Sequence, residues 1–244
     1  MWDPWKHWCE ISTELRYEPF WFIDSNRIVD YKLLLERKLE VDDEYANSIL
    51  IDGKTYEIFE DSKKSFVSNE KRYSTLNVQY NCNREIKYKN YIDGLGRNIK
   101  SENYEKLFKN SNYKFKEVED LTNIDNIINP TFSFSSAIEE MKNSLLREKI
   151  ISHEILTDDA IVDKIYLYFR PVYAFEFIWS NENKVGIIEI DGLNGEISEK
   201  GVWLKDRVSK VMTRDMFFDI GGEIANGMVP GSGVVVKMID RMTK

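Results

Sequence analysis

Histidine is the scarcest chemistry-bearing residue in this chain, which has only His7 and His153. A Ser–His–Asp or Cys–His arrangement needs one of them as its base. His7 stands among tryptophans and His153 directly before Glu154, and neither belongs to a recognisable nucleophile motif. Cys9 is two residues from His7, but in a terminal arm. Nucleophilic catalysis is therefore not the expected chemistry. A zinc site of two Cys and two His would consume Cys9, Cys82 and both histidines, at spacings unlike those of a zinc finger.

Carboxylates offer more. Glu189 and Asp191 alternate onto one face of an expected strand, with Glu196 just beyond the turn. Three such oxygen donors could hold a divalent cation and serve a metal-dependent hydrolase. The usual metal-nuclease pattern adds a lysine two residues after an acid, and Asp191 occupies that place. The simpler reading is a solvated strand face and a turn aspartate that bonds its own backbone. Gly227-Met228-Val229-Pro230-Gly231-Ser232-Gly233 looks like a loop before a helix, but a phosphate loop ends in Gly-Lys-Ser/Thr and here Val234 follows. It reads as a turn between two helices. No catalytic residue, metal or cofactor is assigned, and the chain reads as non-enzymatic.

The elements that would position these groups follow from length and patterning. A chain of 244 residues, 42% hydrophobic and 31% charged, has the composition of an ordinary globular protein, so no staple is needed to hold a core. The net charge of −8 disfavours nucleic acid, whose binding needs clustered Lys and Arg. Cys9 and Cys82 are too few for a disulfide framework; one bridge between them stays open, and two free thiols of a reducing compartment is the favoured reading. The N-terminus has no basic start followed by an apolar run, so it is not a signal peptide. The longest uncharged apolar stretch, 224–236, is interrupted by Asn226, Pro230 and glycines and falls short of the roughly 20 residues of a spanning helix. The expected location is the cytoplasm.

Residues 1–23 form an aromatic arm holding Trp2, Trp5, Trp8 and Trp21, expected to dock on the body or to anchor a partner. A first lobe, 24–130, opens with a helix to about Leu39, because Ile28, Tyr31, Leu35 and Leu39 fall near helical spacing. A hairpin follows over 48–60 around the type I′ signal Asp52-Gly53. Residues 63–72 read as a loop, 75–80 and 85–92 as two strands, and 103–110 as a short helix. The Asn-rich stretch 123–130 reads as a linker. A second lobe, 131–204, starts with a helix from the capping box Ser136-Ala137-Ile138-Glu139 to about Lys149. Its strands follow over 164–179, where aromatics recur at period two on either side of Pro171, and over 184–191. Residues 205–244 read as an appendage of two amphipathic helices around a glycine hinge. The second presents Val234, Val235, Met238, Ile239 and Met242 as a stripe. The expected fold class is α+β: two helix-plus-antiparallel-sheet lobes with a C-terminal helical appendage.

The stretch from Phe134 to about Gly201 resembles the PepSY family. The features that carry the resemblance are the helix 136–149, the segment Pro171-Val172-Tyr173-Ala174-Phe175-Glu176-Phe177, and the closing Ile190-Asp191-Gly192-Leu193-Asn194-Gly195-Glu196-Ile197. The resemblance covers about a quarter of the chain and implies a helix followed by an antiparallel sheet. Such modules often stand beside peptidases or in membrane proteins, some as inhibitors, and the resemblance transfers no catalytic residue. Ile92-Asp93-Gly94-Leu95 also recurs as Ile190-Asp191-Gly192-Leu193, which suggests two related lobes.

The function expected from these features is that of an intracellular protein-interaction or regulatory protein. The candidate binding residues are Trp2, Trp5, Trp8, Val234, Val235, Met238, Ile239 and Met242, and the partner is another protein or a second copy. The alternatives are a peripheral membrane or pore-associated factor acting through 205–244, and a metal-dependent hydrolase using Glu189 and Asp191.

Overall fold

The structure is a computed structural model that describes residues 8–60, 72–109, 113–118, 121, 124–179, 184–198 and 235–241. The strands are β1 (Trp8–Val41), β2 (Ser48–Ile51), β3 (Lys54–Glu60), β4 (Arg72–Asp93), β5 (Tyr113–Glu117), β6 (Glu154–Trp179), β7 (Lys184–Asp191), β8 (Ile197–Ser198) and β9 (Val235–Arg241). The helices are α1 (Ser101–Lys109) and α2 (Phe134–Arg147).

This overturns the expected α+β class with its two helix-plus-sheet lobes and helical appendage. Among the described residues the fold is mostly antiparallel sheet, 64% strand against 14% helix. The expected helix over 24–39 lies inside β1. Its sequence carries two periods at once. Ile28, Tyr31, Leu35 and Leu39 suit a helix, while Val29, Tyr31, Leu33 and Leu35 alternate as a strand does. Pairing with neighbouring strands decides between them. The expected helix carrying Val235, Met238 and Ile239 is strand β9. It pairs antiparallel with β5 (Tyr113↔Arg241 to Glu117↔Lys237) and parallel with β6 (Tyr166↔Val235 to Phe169↔Met238).

Signals confined to a few residues fare better. The hairpin β2–β3 forms in the register Ile51↔Lys54, and Asp52 and Gly53 both take positive φ (46° and 77°), as a type I′ turn requires. Helix α2 forms, but it starts earlier than the capping box suggested. Ser133 is the N-cap, its hydroxyl accepting the Ser136 amide at 3.1 Å. The two strands expected over 75–92 are the single strand β4. Pro171 does not break β6. It falls where one edge of β6 changes partner, from β9 up to Phe169 to β7 from Val172 onward. A proline, which has no N–H to offer, is at home in that gap.

The chain forms two compact units, each drawn from separate stretches of sequence. The larger comprises residues 1–26, 86–148 and 160–244. Its strand order is β4-β1-β6-β7-β8, with β9 and β5 off this path. Phe20, Trp21, Phe22 and Ile23 of β1 are all buried, because this stretch of strand is covered on both faces. On one face Trp21 and Ile23 pack with Ala137, Ile138 and Met141 of α2, and the Trp21 indole donates to the Phe132 carbonyl at 2.9 Å. On the other, Phe20 stacks on Tyr104 of α1 at 4.5 Å and on Tyr168 of β6 at 5.2 Å. Each such large side chain contributes about 1.5–3 kcal/mol by leaving water. The expected linker is laced to β1, with the Tyr17 amide on the Asn126 carbonyl (2.9 Å) and the Ile128 amide on the Tyr17 carbonyl (3.0 Å).

The smaller unit comprises residues 27–85 and 149–159. Its strand order is β2-β3-β4-β1-β6. No helix occurs among its described residues. Val29 is its one buried apolar side chain among them, whereas Leu39, Leu50, Ile155 and Leu156 are exposed.

Candidate functional site

Two places stand out, one in each unit. In the larger unit charged side chains gather on the α1 face of the sheet. Glu18 of β1 is fully buried. It accepts Arg16 at 2.7 Å and Arg97 at 2.7 Å, and Arg170 lies 3.4 Å away. Burial pushes its carboxyl up. Arg97, Arg170 and Arg16 outweigh that and hold it below the ordinary glutamate value. Arg97 also binds Asp93, which in turn accepts the Tyr104 hydroxyl. Arg170 binds Asp191 at 2.5 Å, and Arg16 binds Glu189 at 2.5 Å.

Two turns hold the aspartates of this network in the same way. The Gly94 amide donates to the Pro19 carbonyl and the Gly192 amide to the Pro171 carbonyl, each at 2.9 Å. Asp93 Oδ1 accepts the Leu95 amide at 2.9 Å, and Asp191 Oδ1 accepts the Leu193 amide at 2.8 Å. The approach is close enough that a Cβ on Gly94 would lie 2.7 Å from the Pro19 oxygen, and one on Gly192 3.0 Å from the Pro171 oxygen. The sequence echo is thus a repeated turn. Both copies lie in one compact unit and not in two lobes.

Glu189 and Asp191 do share a face of β7, with Arg170 and Tyr104 beside them in a cleft of about 210 Å³. That is below the roughly 300–1,000 Å³ of small-molecule sites. Both carboxylates are engaged by arginine, and Asp191 also takes the Leu193 and Asn194 amides. This is the chemistry of a charge-paired structural network, and it leaves these oxygens committed where a hydrolase would need them for a metal. Among the described residues no group of three or more His, Cys, Asp or Glu could hold a metal ion. His153 accepts the Leu34 amide on Nδ1 at 3.0 Å.

The second place is the sheet of the smaller unit. Cross-strand contacts sort its side chains onto two faces. Asp30 meets Asn83 (2.8 Å) and Thr157 (2.9 Å), and Lys38 lies over the Tyr73 ring at 3.8 Å. Even positions of β1 therefore share a polar face with odd positions of β4. Arg27 pairs with Asp158 (2.7 Å) and Arg37 with Tyr80 (3.1 Å), which places odd positions of β1 with even positions of β4 on the opposite face. By strand alternation that face carries Val29, Tyr31, Leu33, Leu35 and Leu39 of β1. Leu76, Val78, Tyr80 and Cys82 of β4 continue it. Through the register Ile58↔Ser74 and Ile49↔Tyr56 it extends over Tyr56 and Ile58 to Ile49 and Ile51. Except for Val29, these side chains are half-buried or exposed, with Tyr80 at 38% and Leu39 at 41%.

Of the sequence-expected binding residues, Trp2, Trp5, Val234 and Met242 lie outside the described residues. So do the glycine loop 227–233, the loop 63–71, His7 and most of the appendage. Trp8 opens β1, and Val235, Met238 and Ile239 lie in β9. The helix expected over 24–39 hides the apolar sheet face, because helical spacing scatters the side chains that β1 lines up. The alternation Val29, Tyr31, Leu33, Leu35 was the available signal. Among the described residues no helix is long and apolar enough to cross a membrane. No family model, curated protein or solved structure matches the chain.

Proposed function

We propose that this chain is a non-enzymatic protein-interaction module and that its working surface is the apolar face of the smaller unit's sheet. One observation carries the reading. A sheet with one apolar face needs a second layer, and this face has no helix or second sheet of its own unit on it among the described residues. A contiguous apolar surface left half-buried, with Leu39 and Tyr80 exposed, marks an interface on a folded protein. The free, half-buried thiol of Cys82 supports placing the protein in a reducing cytoplasm. The order α2, β6, β7, turn supports keeping the PepSY resemblance of 134–201 as a description of topology, without an inhibitory role.

The test is size in a native extract. The chain should migrate in a species larger than a single copy. Replacing Leu33 and Val78 together by glutamate should return it to single-copy size with its far-ultraviolet circular dichroism unchanged. Single-copy migration of the unaltered chain would sink the reading.

A further inference from the structure

Resting on that reading, we infer that the occupant of the face is a second copy of this chain, packed face to face across a two-fold axis. The face spans four inter-strand spacings of about 4.8 Å, and Val29 to Leu39 extends about 34 Å at roughly 3.4 Å per residue. Because β3 has seven residues and β2 four, the sheet narrows toward that edge, and the projected patch is on the order of 500 Å², which side-chain relief raises toward the roughly 800 Å² that each partner buries in a stable complex. A two-fold pairs the same patch with itself, the commonest symmetry of homo-oligomers. Two such sheets about 10 Å apart form a sandwich whose core is the two apolar faces.

By the same alternation the face also carries Lys54 and Arg84, and three of its other cations are engaged within the chain. Arg27 is paired with Asp158, Arg37 donates to the Tyr80 hydroxyl, and Arg72 donates to the Asp43 and Ala46 carbonyls at 2.9 and 2.7 Å. These guanidiniums enter the contact already partnered within their own chain. Pairing through the sheet edge is the weaker route, because the edge strand β2 has four residues.

The experiment is sedimentation of the purified full chain across the micromolar range. The expected result is a mass twice that of the chain, lost in the Leu33→Glu, Val78→Glu double variant. It should be kept in Leu34→Glu, which alters the polar face of the same strand. A second measurement does not depend on how the double variant folds. Cys82 lies on the face, so in a Cys9→Ser background its alkylation should slow as protein concentration rises. A monomer throughout, with Cys82 reactivity independent of concentration, overturns the inference. If the chain still runs as a larger species in extract, another protein occupies the face and the interaction reading stands. If it is monomeric there too, both fall. A dimer that survives the double variant places the contact elsewhere and also overturns the inference.

Discussion

Glu18 is a buried carboxylate shared by three arginines, and its removal would leave Arg16, Arg97 and Arg170 with Glu189, Asp93 and Asp191 as their remaining carboxylates around an uncompensated excess of positive charge. Breaking a buried pair from one side costs about 3–5 kcal/mol. Glu18→Gln should therefore lower the urea-unfolding free energy near neutral pH by about 3 kcal/mol. The sign of the pH dependence follows from its lowered folded value. The contribution is complete above the ordinary glutamate value of 4.5 and is lost as pH falls through the folded value. Wild-type stability should drop across that acid range, and the Gln variant should show a shallower drop. The paired glycines make a second prediction. Gly94→Ala and Gly192→Ala should each lower the melting temperature, the first more, because its added methyl meets a carbonyl oxygen at 2.7 Å against 3.0 Å. Equal melting temperatures for both variants and wild type would contradict the geometry. At this scale the turns were legible, since Asp-Gly-Leu declares itself within a few residues. The arginines were not. Arg16, Arg97 and Arg170 come from distant parts of the chain, and nothing local in their sequence states that they meet.

Among the elements, α2 and the β2–β3 hairpin were readable for a common reason. A cap, a 3.6-residue apolar period and an Asp-Gly turn act over one or two turns of chain. The local pattern of β1 points to a helix because strand identity is conferred by partners that the local sequence does not name. The same holds for β9, whose partners are β5 and β6. The cap correction is testable. Ser133→Ala should destabilise the protein by about 1 kcal/mol in chemical denaturation. Glu139→Ala, at an exposed position three residues beyond Ser136, should leave the unfolding midpoint unchanged. The reverse ranking would restore the capping box at Ser136.

The two units differ in how their sheets are covered, and stability should differ with them. The larger has helices on both faces of its sheet, and the smaller keeps one buried apolar residue among those described. In dilute solution, backbone amides of 29–41 and 74–84 should exchange with deuterium faster than those of 18–24 and 165–169. Uniform protection would argue that the smaller sheet has cover of its own. Neither unit is contiguous in sequence, so neither could be delimited from composition or linker signals. The order of the strands also sets a timetable for synthesis. In both units β1 lies between β4 and β6, and β6 begins roughly a hundred residues after β1 ends. At about 5–20 residues per second a ribosome needs roughly 5–20 s to cover that distance. For that interval the nascent chain carries Phe20 to Ile23 without one of the two strands that flank them. Chains arrested before Glu154 should accordingly be bound by holdase chaperones, and chains released beyond Trp179 should escape them.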